Sequence, residues 1–172
     1  MTSTQSGNAV CCAAALASVK KIVTEDLTGN AARLEPVLLK GLEQIQRRHP
    51  TVIGRVSARG LVGGLQTMKA GHKEPDSDLA HNIIERCFRK GLLMFAPVGA
   101  WGQTVKISPP LTIPREAVEE GLAVLSEAVD EAVSAARETT SVSPDLSPVQ
   151  PPAAARKQPA AASVVSAVNV SL

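Results

Sequence analysis

Six apolar residues, Leu27, Ala31, Leu34, Leu38, Leu42 and Ile45, recur at three- and four-residue steps through one stretch of this chain. Only an α-helix returns side chains to one face at that interval, so the segment from about Glu25 to Arg48 is predicted as a long helix with one buried side. Such a stripe must lie against other helices or a sheet. Pro36 falls inside the pattern. Its ring and missing N–H predict a kink, or a cost of ~3 kcal/mol. His49-Pro50 ends the helix.

What the stripe packs against follows from the flanking segments. Residues 9–23 read as a first helix, with Asn8 as N-cap and Lys20-Lys21 near its C-terminal end. Its small side chains permit close backbone approach, which suits a buried or interface helix. Residues 52–57 and 61–68 read as strands joined across Arg59-Gly60, with Gly63-Gly64 marking a bulge or the close approach of another backbone. Residues 75–78 cap a third helix, from about Asp78 to Lys90, with Leu79, Ile83, Ile84 and Cys87 inward and Gly91 closing it. Residues 92–96 and 104–108 read as two further strands, split by the loop 97–102 that holds Trp101. Pro114 starts a last helix over about 115–137, with Val118, Leu122, Leu125 and Val129 as its stripe. Strands paired between helices imply an α+β layer, a small sheet covered on one side. Aromatic residues are only 2% of the chain, so Ala, Val, Leu and Ile must fill that core. Beyond about residue 139, prolines among Ser, Ala and Val carry almost no periodicity, the pattern of a disordered tail.

The charge pattern excludes several functions. The 18 basic and 16 acidic residues give a net charge of +2, too weak and dispersed for a nucleic-acid groove. With so few aromatics there is no stacking platform for bases either. No stretch reaches the ~20 apolar residues that span a bilayer. No base precedes the apolar run at 9–17, which argues against a secretory leader. The three cysteines, Cys11, Cys12 and Cys87, show no disulfide or Cys-x-x-Cys pattern and are expected as buried, reduced thiols of a cytoplasmic protein. His49, His72 and His81 lack metal-ligand spacing, and His81 is expected to pair with Asp78 in solvent. No dinucleotide or phosphate-loop glycine motif occurs.

Four segments, in order, carry a resemblance. Residues 4–17 follow the pattern T-x-S-G-N-P-x-x-x-A-A-A-L-A. Gly29–Arg33 is similar to the N-A-A-x-L region of a second helix, and Val56–Gly64 to a V-R-G-x-G-L-x-x-G strand pair. Gly91–Pro97 with Val105–Ile113 is similar to G-L-L followed by R-x-x-P-P-L-x-I. Together they resemble the C-terminal portion of class III (ornithine/4-aminobutyrate type) aminotransferases over roughly residues 2–135.

The resemblance implies the C-terminal small domain of a fold-type I aminotransferase, with a mainly antiparallel sheet. Residues 1–24 would then form an interdomain or interface segment, 25–138 the α+β domain and 139–172 the tail. It implies pyridoxal phosphate as cofactor, amino acid and 2-oxo acid substrates, and a homodimer or pairing with a large domain. Thr4 matches the threonine that reaches the phosphate of the partner subunit's cofactor, with Ser6 beside it; a hydroxyl donor to a phosphate oxygen is reasonable chemistry there. Lys106 stands where many members carry the arginine that clamps the substrate carboxylate. Lysine keeps the charge but loses the planar fork. Gln5 and Ala9 replace an aromatic and a proline of the pattern. Arg59 is expected to bond loop carbonyls, and Trp101 to be a pocket lid or a loop anchor.

In the family the cofactor-bearing lysine, the aspartate for the pyridine nitrogen and the phosphate loop precede the first motif, whereas Met1 is only three residues before Thr4. The expectation is therefore a fragment without its cofactor lysine, inactive alone, since Lys20, Lys21, Lys40 and Lys90 read as helix-surface groups. The other readings are a non-catalytic oligomerisation or small-ligand module of the same fold, and a truncated gene product.

Overall fold

The computed structural model describes residues 7–141, which form four helices and one sheet in the order α1 (Ala9–Thr24), α2 (Leu27–Arg48), β1 (Ile53–Arg59), β2 (Val62–Thr67), α3 (Ser77–Arg89), β3 (Thr104–Ile107) and α4 (Arg115–Ser141). The three strands run antiparallel in the order β1-β2-β3. α2 and α3 pack on the sheet, and α4 packs on α2 and α3, so the helices lie to one side. The expected α+β layer is the architecture found. No helix among the described residues is long and apolar enough to cross a membrane.

α2 begins at Asp26, which adopts a left-handed conformation (φ 47°) and accepts from Gly29 N at 3.2 Å, a capping bond that satisfies one orphan donor. All six stripe residues are buried, with Leu38, Leu42 and Ile45 at 1% exposure or less. The helix runs through Pro36 without interruption. The sheet meets this stripe at Gly63, where a Cβ would lie 3.1 Å from Leu42 Cδ1 and 3.2 Å from Leu38 Cδ2. The close approach expected of the glycine pair is thus made by α2 at Gly63, while the register irregularity of the hairpin lies elsewhere, between Ile53 and Arg55. The hairpin turns at Gly60-Leu61, with Gly60 at φ 54° supplying the positive angle that a two-residue loop requires.

α3 is capped by Asp76, whose carboxylate accepts from Leu79 N at 2.9 Å. Leu79, Ala80, Ile83 and Cys87 are buried in the same cluster as Val105, Leu125 and Val129. Arg86 and Lys90 on α3 meet Glu131 on α4, and Lys90 also meets Glu127. Those contacts push the Lys90 ammonium pKa up and hold the Glu131 carboxyl below its ordinary range. Thr67, a buried polar residue, donates its hydroxyl to the Asp76 carbonyl at 2.5 Å and ties β2 to the start of α3.

Several expectations need correction. Residues 92–96 form no strand; one bridge, Val98 to Thr104, is all that pairs there. Leu92 and Met94 pack on the core while Leu93 and Phe95 are exposed, so the alternation is real but Pro97 and the loop after it stop a ladder from forming. Cys11 and Cys12 are exposed and only Cys87 is buried, because none of the described residues covers that part of α1. Arg59 bonds no loop carbonyl among the described residues: it is exposed, with its guanidinium 4.0 Å from Glu35, and Glu35 instead accepts from Gly60 N. His81 faces the Ser77 carbonyl at 2.8 Å rather than Asp78. α4 extends to Ser141, into the first residues assigned to the tail; the rest of that tail lies outside the described residues.

Candidate functional site

Alternation along the strands divides the sheet into two faces. Val56, Leu65 and Val105 point toward the helices and belong to, or pack on, the core. Their neighbours therefore point the other way: Arg55, Ser57 and Arg59 on β1, Val62, Gly64 and Gln66 on β2, and Thr104 and Lys106 on β3. No carboxylate occurs among these eight residues. This open face is cationic and polar, and it looks away from α2 and α3.

Lys106 stands on the edge strand β3 of this face. It is half-buried, and its ammonium lies 5.4 Å from the Phe95 ring centroid, a cation–π contact. No ion pair to Lys106 forms among the described residues, where ten of the other lysines and arginines do meet a carboxylate. The register sets Lys106 opposite Gly64, and Gly64 opposite Ser57. Glycine at the middle of that row leaves a gap without a side chain between an ammonium and a hydroxyl, across a span of roughly 10 Å for two strand spacings. The next row holds Arg55, Gln66 and Thr104. Trp101 sits 70% exposed at the tip of the adjoining loop, with its backbone N–H donating to Gln103 Oε1 at 3.2 Å.

Chemically, the row offers donors and positive charge to a small anion. It contains no general base and no activated nucleophile. Thr4 and Ser6 lie outside the described residues. Of the three residues expected at a site, Lys106 alone is thus placed, and Phe95, Ser57 and Gly64 join it. Alternation beside Val56 and Leu65 puts Ser57 and Gly64 on this face, but only the register sets them in the row of Lys106; Phe95 lies in a segment that forms no strand.

Residues 1–129 match the family model described as aminotransferase class-III. The chain belongs to that family. Among relatives, the isoleucine 2-epimerase of Lentilactobacillus buchneri is 37% identical over 126 residues, 73% of this chain and 27% of the relative. The 4-aminobutyrate aminotransferase GabT of Escherichia coli is 34% identical over 130 residues, 75% of this chain and 30% of the relative. Among solved structures, a transaminase from the marine bacterium Virgibacillus superposes with a TM-score of 0.71 at 26% identity, covering 79% of this chain and 31% of that one. The chain thus spans about a quarter to a third of the length of the family members it matches.

Pyridoxal phosphate, the usual cofactor of class-III aminotransferases, requires a lysine in a closed pocket and a cradle for its phosphate. Lys21, Lys69 and Lys90 are tied to carboxylates. Lys20, Lys40 and Lys73 are exposed, and Lys106 lies on the open face. The described residues do not make a cradle that fits the cofactor.

Proposed function

We propose that this chain is the substrate-contacting C-terminal portion of a class-III aminotransferase and depends on a separate cofactor-bearing portion for turnover. Lys106 is the observation that carries the reading: an ion-unpaired ammonium over Phe95, beside the Gly64 gap, on a face free of carboxylates. Its role is to bind the carboxylate of an amino acid or 2-oxo acid. As a point charge it orients that group less strictly than a two-pronged guanidinium. Thr4 and Ser6 are proposed contacts to the phosphate of a partner subunit's cofactor. The cofactor itself supplies the electron sink for reaction at the substrate α-carbon. Relatives named as an epimerase and as an aminotransferase share this portion, which fits a role in substrate binding rather than in choosing the reaction.

The test is the 172-residue chain incubated with stoichiometric pyridoxal phosphate, 4-aminobutyrate and 2-oxoglutarate. The expected result is no turnover and, after borohydride, no stoichiometric lysine adduct by mass spectrometry. Turnover together with a single modified lysine would overturn the reading.

A second reading, an oligomerisation module of the same fold, is favoured by α1. That helix buries none of its residues and exposes Val10 at 78%, Val23 at 73%, Val19 at 57% and Leu16 at 55%. Apolar exposure of this extent along one helix marks an interaction surface. Residues 1–24 are accordingly proposed as the segment through which the domain joins its dimer partner or large domain.

A further inference from the structure

A groove of about 940 Å³ runs between α2 and α4, in the helical layers behind the sheet and away from Lys106. Its floor is apolar, formed by Val37, Gly41, Ile45, Leu122 and Ala123 among others. The two helices approach closely at its middle, where a Cβ on Gly41 would lie 2.5 Å from Leu122 Cδ1. Around that floor stand five cations, Arg33, Lys40, Arg47, Arg48 and Arg115, against a single lining carboxylate, Glu119, which pairs with Arg115 at 2.8 Å. The carboxylates that meet Arg33, Arg47 and Arg48 are Asp26, Glu43 and Asp130, none of which lines the groove. Lys40 meets no carboxylate among the described residues and stands exposed near the centre.

We propose that this groove docks an acidic amphipathic helix of a partner protein. Shape and charge both select that occupant. The lining residues of α2 extend from Arg33 to Arg48, about 22 Å at 1.5 Å per residue, which matches a helix of roughly four turns. An apolar floor with charged rims is how a helix face is received. The cations around that floor call for Asp or Glu on the flanks of the incoming helix. A bilayer surface is flat and does not enter a recess between two helices. A two-fold copy of this chain would set cations against cations. Residues 142–172 carry one acidic residue, Asp145, with Arg156 and Lys157, so their sequence contains no acidic helix face.

The probe is a fluorescein-labelled, 15-residue designed peptide with a leucine face and glutamate flanks, titrated with the full chain by fluorescence anisotropy. Saturable binding is expected. It weakens about tenfold in Lys40→Glu, where attraction becomes repulsion, and likewise in Ala123→Arg, which fills the floor from an exposed position. Far-ultraviolet circular dichroism establishes that both variants keep their fold. Absence of binding at ~1 mM peptide, equal binding of the all-lysine sibling peptide, or insensitivity to both variants would overturn the proposal. So would a preference, equally sensitive to Lys40→Glu, for phosphatidylserine vesicles over the peptide.

Discussion

Cys87 illustrates how one side chain ties packing to pH. Burial pushes its thiol up to about 11 from the ordinary 9.0, because the thiolate would lose its hydration. Below pH 9.0 the thiol is neutral folded or unfolded and the full stability is present. Between pH 9.0 and about 11 the unfolded chain releases a proton that the folded one retains, so stability falls across that window. Urea midpoints measured across it are expected to decline, and Cys87→Ser should flatten the slope. A thiol reagent at neutral pH should modify Cys11 and Cys12 at once and Cys87 only on unfolding. Not every residue contact was legible. His49 Nε2 lies 2.5 Å from Asp130 Oδ1, binding the end of α2 to α4, yet the two are 81 positions apart and nothing local marks them as a pair.

At the scale of elements, period decides what can be read. The stripe of α2 predicts its buried face residue for residue, because 3.6-residue periodicity over five turns has no competing interpretation. Residues 92–96 alternate as a strand should, but a strand also needs a partner, and pairing is invisible in a five-residue window. The Lys106 row was half legible for the same reason. Its position on a strand was readable, whereas its neighbours Gly64 and Ser57 depend on register. Pro36 lies in the interior of α2 and cannot donate to the Ala32 carbonyl. Pro36→Ala is therefore expected to raise stability by about 1–3 kcal/mol, read as a higher urea midpoint with unchanged m-value. Leu42→Ala, at a site with no exposure that touches both sheet and helices, should cost about 2–5 kcal/mol in the same experiment.

On the whole molecule, α1 and the α+β body are energetically separable, since α1 contributes no buried residue. A chain lacking residues 1–24 should keep the circular dichroism of the remaining helices and a nearly unchanged melting temperature. It should also lose the self-association or partner binding proposed for the exposed apolar residues of α1, read by size-exclusion chromatography. A collapse of the fold on that deletion would contradict the division at residue 24. The body that remains carries the family's sheet, and the open face of that sheet carries the functional claim. The most direct measurement is an NMR titration of the ¹⁵N-labelled full chain with 2-oxoglutarate, alone and as Lys106→Ala. Amide shifts clustered at Gly64, Phe95 and Lys106 are expected, vanishing in the variant and returning in Lys106→Arg. Shifts of equal size in Lys106→Ala, or shifts confined to other surfaces, would contradict that claim.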